Sequence, residues 1–154
     1  GWFQADQSAA TPATYSVDPL ARSRIELLAM DAVAAAERAM GFRPRDVSAE
    51  KCGWDITSAV PSTGDTLPDD RLIEVKGRAK GATTITLTKN EIIAALNKPD
   101  QFWLAIVLVN EDDSTEGPYY LQGPVSQAPD WAEVSKNLEL AELLARATRQ
   151  GGGV

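Results

Sequence analysis

The chain has 154 residues, of which 44% are hydrophobic, enough for one domain with a core and too few for two domains of ordinary size. It contains no histidine and only one cysteine, Cys52, which excludes histidine-based catalysis, histidine- or cysteine-ligated metal sites and an internal disulfide. The net charge of −7 argues against tight binding of nucleic acid by this chain alone. No apolar run approaches the ~18 residues of a membrane helix and no signal-peptide pattern is present, so we expect a cytoplasmic protein.

The beginning of the chain predicts a linker followed by a helix. Residues 1–16 are small and polar and are typical of a flexible linker, so we expect one domain over residues 17–149 and a disordered tail over residues 150–154. Asp18 and Pro19 predict a helix start, and Gly41 predicts its end. Between them an apolar stripe at helical spacing predicts the buried face: Ile25, Leu28, Ala32, Ala36 and Met40. Glu26 lies at the edge of this stripe, where it could face either water or a site on a neighbouring sheet.

Three strands are predicted after this helix, at residues 42–47, 53–58 and 72–77, and they are expected to be antiparallel. In the third strand the alternation places Glu74 and Lys76 on one face of the sheet. If Asp55 of the second strand lies beside Glu74, two carboxylates and one ammonium group converge. Such a trio can hold Mg²⁺ and stabilise the charge of a phosphodiester under attack, although alternating charges on a strand also occur simply as a solvated face.

The residues of these strands resemble a known family. The segments GWDI (53–56) and IEVKGR (73–78), with LTKNE (87–91), are similar to the PD-(D/E)xK nuclease superfamily. More narrowly, they resemble the domain shared by the plant No Vein protein and the ends of bacterial helicases, including helicases of phage defence. The resemblance implies that Asp55 and Glu74 bind Mg²⁺ or Mn²⁺, that Lys76 is catalytic, and that Glu26 completes the metal site. Trp54 stands where the superfamily name has proline.

Four polar residues near these motifs are candidates for binding nucleic acid. Arg78 and Lys80 follow the third strand in a glycine-bounded segment, where they could clamp a phosphate or simply form a basic hairpin tip. Lys89 and Asn90 lie at a predicted helix start, a position that favours anions. That helix is predicted by a capping box from Thr88 to Glu91, which explains Glu91 without a catalytic role.

The rest of the chain predicts two helices and three strands. A strand at residues 83–87 enters the helix capped at Thr88, whose buried residues are predicted to be Ile92, Ile93 and Leu96. The continuous apolar run at residues 102–109 predicts a central strand covered on both faces, and residues 119–121 predict its hairpin partner. Residues 130–149 predict a terminal helix. Its docking residues are predicted to be Val134, Leu138, Ala141 and either Leu144 or Ala145.

This order of elements predicts an α/β fold with a mixed central sheet flanked by helices. The resemblance implies that the fold is restriction-endonuclease-like, with an α-β-β-β-α-β core. Our first functional hypothesis is a metal-dependent nuclease domain that acts on DNA and is appended to a helicase. The alternative is a nuclease-like module without cleavage, which senses DNA or binds another protein. The trio of Asp55, Glu74 and Lys76 favours the first hypothesis, and the acidic composition favours the second.

Overall fold

The structure is a computed structural model that describes residues 18–149, so the linker predicted at residues 1–16 and the tail predicted at 150–154 lie outside the described residues. None of the described helices is both long and apolar enough to cross a membrane. The elements, in chain order, are α1 Pro19–Ala39, β1 Arg43–Asp46, β2 Ile56–Ala59, β3 Arg71–Ala79, β4 Thr84–Thr88, α2 Lys89–Asn97, β5 Phe102–Val109, β6 Thr115–Leu121, β7 Ser135–Glu139, α3 Leu140–Arg146 and β8 Thr148–Arg149.

The strands form a six-stranded mixed sheet in the order β1-β2-β3-β5-β6-β8 and a separate pair, β4-β7. Strands β3 and β5 are parallel, and every other neighbouring pair is antiparallel. The crossover from β3 to β5 contains β4 and α2, as a parallel connection requires. The predicted α/β class with a mixed sheet is therefore confirmed, as is the central position of β5, whose residues are almost all buried.

Helix α1 begins as predicted, because Asp18 accepts a hydrogen bond from the Leu20 N–H and Pro19 occupies the first turn. Its buried face is rotated by about one residue from the predicted stripe. The fully buried residues are Ala29, Val33 and Glu37, whereas all five residues of the predicted stripe are only partly buried: Ile25, Leu28, Ala32, Ala36 and Met40. The apolar pattern misplaced this face because one of its buried positions is occupied by a glutamate, Glu37, which such a pattern does not count.

Glu37 is completely buried and belongs to a polar cluster between α1 and the sheet. Its carboxylate accepts two hydrogen bonds from Arg71, at 2.8 and 3.0 Å, and a third from the Tyr120 hydroxyl at 2.7 Å. The Arg71 guanidinium also lies 4.9 Å from the centre of the Phe42 ring and 4.8 Å from that of Trp103. The cluster therefore joins α1, β3 and β6 through a single, well-partnered carboxylate.

Gly77 of β3 brings the backbone of α1 directly against the sheet. A Cβ atom at this position would lie 2.6 Å from the Ala29 Cβ, closer than real Cβ contacts allow, and 3.0 Å from the Ile25 carbonyl oxygen, which is tighter than most real contacts. Because only a hydrogen atom fits, α1 passes over β3 at backbone distance. This close approach fixes the helix beside the strand that carries Glu74 and Lys76.

Helix α2 begins with the predicted capping box. The Thr88 hydroxyl accepts from the Glu91 N–H at 3.3 Å, and the Glu91 carboxylate accepts from the Thr88 N–H at 3.0 Å. Ile92 is buried as predicted, but Ile93 is 41% exposed, so its predicted burial is wrong. The other buried residues of the helix are Ala94 and Ala95.

The terminal helix predicted at residues 130–149 is wrong. Residues Ser135–Glu139 form β7, and the helix that follows has only seven residues, Leu140–Arg146. Strand β4 is separate from the large sheet, and β7 supplies its ladder partner, with Ile85 opposite Leu138. Val134, predicted to dock, is 78% exposed. Tertiary pairing has overridden a pattern that also fits helical spacing.

Candidate functional site

A cleft of about 990 Å³ opens between α1 and the part of β3 that runs beyond its pairing with β2. The ladder between β2 and β3 covers Arg71 to Ile73, and β3 then continues to Ala79. One wall of the cleft is the first half of α1, and the end of β1 and the turn after it contribute Asp46 and Ser48. The site therefore lies where the pairing between β2 and β3 ends and β3 continues past β2.

Asp55 and Glu74 lie side by side at this point. Ile56 pairs with Ile73, so the next step of the antiparallel register places Asp55 opposite Glu74, which meets the condition that the sequence left open. The Asp55 N–H donates to the Ile73 carbonyl oxygen at 2.8 Å, and the Val75 N–H donates to Asp55 Oδ2 at 3.0 Å. Both carboxylates line the cleft, and Glu74 is only 3% exposed.

Lys76 extends from the same face of β3 and contacts two carboxylates. Its Nζ lies 3.1 Å from Glu74 Oε2 and 3.0 Å from Glu91 Oε1. The three side chains line the cleft together with Asp55. Sequence reasoning assigned Glu91 only to the helix cap, because a motif does not show that the start of α2 faces the lysine on β3.

Gly53 allows the start of α2 to lie so close to the turn that carries Asp55. Its φ of 104° is in the left-handed region, and a Cβ atom there would lie 2.9 Å from the Ala94 Cβ and 3.0 Å from the Asn90 carbonyl oxygen. The Asn90 side chain in turn donates to the Lys51 carbonyl oxygen at 3.2 Å. Glycine at position 53 thus positions α2, and with it Glu91, against the site.

Burial sets the ionisation of the acids in this site. It raises the pKa of Glu74 from 4.5 to about 9, and the charges of Asp55 and Glu91 add to the rise while Lys76 opposes it. Burial also raises the pKa of Asp55, against the hydrogen bond from the Val75 N–H. For Lys76, burial would lower the pKa, but Glu74 and Glu91 outweigh it and the pKa is raised. Burial thus favours the protonated form of Glu74 in the folded chain, whereas the Lys76 ammonium favours its carboxylate form.

This arrangement predicts a pH dependence of stability that depends on Glu74. The unfolded chain ionises Glu74 near pH 4.5, whereas the folded chain keeps the proton to about pH 9, so the unfolded state binds fewer protons between these values. The free energy of unfolding should then fall as pH rises, by up to about 1.4 kcal/mol per pH unit from this group. Glu74→Gln should flatten the decline between pH 5 and pH 8. Urea titrations with a chelator present measure it.

The control for this comparison is Glu142→Gln, which changes an exposed glutamate on α3. Its free energy of unfolding should follow the pH dependence of the parent chain. Equal slopes for the parent chain and for Glu74→Gln would show that Glu74 ionises alike in the folded and unfolded states.

Glu26 lies on the exposed side of α1 and lines the same cleft as Asp55 and Glu74. Over residues 18–149, no group of three or more aspartate, glutamate or cysteine side chains is arranged so that it could hold a metal ion. The two adjacent acids are therefore the part of the predicted metal site that the fold brings together. The role of Glu26 as a third ligand stays a prediction.

The four nucleic-acid candidates are not grouped together. Arg78 lines the cleft, and its guanidinium donates to the Thr84 carbonyl oxygen. The others lie outside the lining of the cleft. The Lys80 ammonium is 2.6 Å from Glu116 Oε1, the Lys89 ammonium donates to the Trp131 carbonyl oxygen at 3.3 Å, and Asn90 is bonded to Lys51. Arg22 on α1 is a further cation in the cleft that sequence reasoning missed, because helical position alone did not show that it faces β3.

The part of the chain that carries the cleft also matches a known protein family. No curated protein and no solved structure matches the chain. A family model described as Protein NO VEIN, C-terminal, matches residues 25–121, from within α1 to the end of β6. The match includes Asp55, Glu74, Lys76 and Glu91, and it covers more than half of the 154 residues. The chain therefore belongs to the family of NO VEIN C-terminal domains.

Proposed function

We propose that this domain is a metal-dependent hydrolase of DNA phosphodiesters, with a restriction-endonuclease-like fold of the PD-(D/E)xK type. The observation that carries the proposal is the juxtaposition of Asp55, Glu74 and Lys76 in one cleft, with the Lys76 ammonium 3.1 Å from Glu74. Two neighbouring acids and one lysine at the point where two strands diverge are the groups that this chemistry needs.

The donor set fits a hard divalent cation, Mg²⁺ or Mn²⁺. Asp55 and Glu74 offer carboxylate oxygens, which such cations prefer, and Glu26 lies on the facing wall of the cleft. Burial of Glu74 makes its charged form costly, and a bound cation would offset this cost. When bound there, the cation would supply polarisation of a phosphate oxygen.

The remaining roles belong to side chains of the cleft. In the reaction a water oxygen bonds to phosphorus and one P–O ester bond breaks, which leaves a phosphomonoester and a hydroxyl group. Negative charge grows on the phosphate oxygens, and the Lys76 ammonium is placed to stabilise it. Arg78 and Arg22, which also line the cleft, are suited to hold a neighbouring backbone phosphate.

The test of the proposal is cation binding combined with cleavage. Asp55→Asn and Glu74→Gln should each abolish the binding of Mn²⁺ in calorimetry, because each removes one of the two adjacent carboxylates. Both should also abolish cleavage of labelled single-stranded and duplex DNA. The matched control is Asp31→Asn, which neutralises an exposed acid on the helix wall of the same cleft and should leave both properties in place. Unchanged Mn²⁺ binding in both site variants would contradict the assignment.

We further propose that the domain works while joined to a DNA-binding motor such as a helicase. The chain has seven more acidic than basic residues, and among the candidate cations Lys80 is already paired with Glu116. Few phosphate contacts then remain, so we expect the isolated domain to bind DNA at 150 mM salt no more tightly than the ~10⁻⁴–10⁻⁶ M of non-specific binding. A linked motor would raise the local concentration without new contacts. A gel-shift titration measures this affinity, and nanomolar binding would contradict the proposal.

A second function, a module that senses DNA or binds a partner without cutting, is favoured by one observation. Lys76 is held between two carboxylates, at 3.1 and 3.0 Å, and is not free in the cleft. The cleavage assay separates the two functions. Binding of Mn²⁺ with no product on any DNA substrate would favour the non-cleaving module.

A further inference from the structure

Glu91 makes contacts that a helix cap does not need. Its Oε1 atom accepts a hydrogen bond from the Thr88 N–H at 3.0 Å and lies 3.0 Å from the Lys76 ammonium. The Glu91 N–H is itself bonded to the Thr88 hydroxyl, so both ends of the residue are fixed at the start of α2. The side chain is only 16% exposed. Glu91 is thus a rigid carboxylate that faces the lysine from a different element of the fold.

The two carboxylates that contact Lys76 are not equivalent. Glu74 lies beside Asp55 and is one of the proposed cation ligands, whereas the Glu91 carboxylate accepts from the Thr88 N–H at the N-cap of α2. When Glu74 turns its oxygens to a cation, it can no longer satisfy the Lys76 ammonium, and two positive charges then repel each other across a short distance. A lysine held by Glu74 alone would be released toward solvent on its flexible four-carbon chain.

We propose that Glu91 is the positioning residue for Lys76, which holds the ammonium group at the cleft independently of Glu74. The purpose of this role rests on the proposed function, but the contact itself does not. Glu91 keeps the lysine near the reacting phosphate at the moment when Glu74 is occupied. The capping box then has two tasks: it starts α2, and it fixes the carboxylate that aims the lysine.

One substitution separates these two tasks. Glutamine at the third helical position caps as well as glutamate, because its side-chain oxygen can also accept from the Thr88 N–H. Glutamine carries no charge and cannot form an ion pair with Lys76. Glu91→Gln therefore keeps the cap and removes the proposed hold on the lysine.

The decisive experiment is a double-mutant cycle in a Glu74→Gln background, which mimics a Glu74 whose charge is no longer available. Lys76→Met and Glu91→Gln are introduced singly and together, and the unfolding equilibrium constant is measured in urea. Charges in contact are energetically coupled. Glu91→Gln should therefore raise the unfolding equilibrium constant by a factor that is at least about five times larger when Lys76 is present than when methionine replaces Lys76. If Glu91→Gln changes the unfolding constant by the same factor, within about twofold, whether residue 76 is lysine or methionine, the proposal is overturned.

Two controls keep this cycle interpretable. Glu133→Gln changes another glutamate that accepts a backbone N–H, from Asp130 at 2.8 Å, and that is not among the residues lining the cleft, so it should show no coupling to Lys76→Met. If the methionine variant does not fold, Lys76→Gln replaces it in the same cycle. Neither the cycle nor its controls require a cation or DNA.

Cleavage provides the second measurement. Glu91→Gln should lower kcat while it leaves KM and the affinity for Mn²⁺ unchanged, and the double variant with Lys76→Ala should be no slower than Lys76→Ala alone. If the parent chain cleaves DNA and the Glu91→Gln variant cleaves it at the same rate, the proposal is overturned. A parent that does not cleave would refute the proposed function, while the stability cycle would still decide the role of Glu91.

Discussion

Arg71→Ala is expected to lower the free energy of unfolding by about 3–5 kcal/mol, the usual result of removing one partner from a buried ion pair. The substitution leaves the Glu37 carboxylate, which is completely buried, with the Tyr120 hydroxyl as its remaining donor in the cluster. It also removes the contacts of the guanidinium with the Phe42 and Trp103 rings. Urea unfolding at neutral pH measures the loss, which should appear as a lower midpoint with little change in slope.

Lys80→Ala is the matched control for this experiment. It also removes a cation from a close ion pair, with Glu116 at 2.6 Å, but the Lys80 side chain is 55% exposed and water can replace the contact. Its expected cost is below about 1 kcal/mol. Similar losses for the two variants would show that burial does not determine the contribution of the Glu37 cluster.

Lys76→Ala is expected to lower DNA cleavage by roughly 10²–10³ while Mn²⁺ still binds, because the lysine stabilises charge and is not a ligand. The ammonium that contacts Glu74 at 3.1 Å also competes for that carboxylate, so its removal should not weaken the cation site. Single-turnover cleavage measures the rate, and calorimetry on the same preparation measures the cation affinity.

The comparison variant for this measurement is Lys98→Ala, which removes an exposed lysine after α2 and should cleave like the parent chain. If Lys76→Ala also cleaves at the parental rate, the lysine has only a structural role and the proposed mechanism is wrong. A loss of Mn²⁺ binding in Lys76→Ala would instead assign the lysine to the formation of the site.

The sequence predicted those parts of the fold whose signals are local. The N-cap at Asp18, the capping box at Thr88 and the apolar run of β5 each depend on neighbouring residues, and each is present in the structure. The pairing of Asp55 with Glu74 was also predictable. Two adjacent antiparallel strands with a defined alternation leave few registers that bury the apolar face.

Other features depend on residues far apart in the chain, which a single sequence does not reveal. Glu37 and Arg71 are 34 residues apart, and neither position indicates a buried pair by itself. The pairing of β7 with β4 joins residues about fifty positions apart and replaced a predicted helix. The contact between Lys76 and Glu91 was missed for a related reason, because the capping box already gave Glu91 a sufficient local explanation.

The glycine at position 77 has a mechanical consequence for the cleft. The distance of 2.6 Å from its virtual Cβ to the Ala29 Cβ means that any larger residue would act as a wedge between α1 and β3. The helix that carries Glu26 and the strand that carries Glu74 therefore meet at backbone distance here, because position 77 has no side chain. Because the contact at Gly77 leaves no gap, the cleft cannot narrow by a shift of α1 toward β3 at this position.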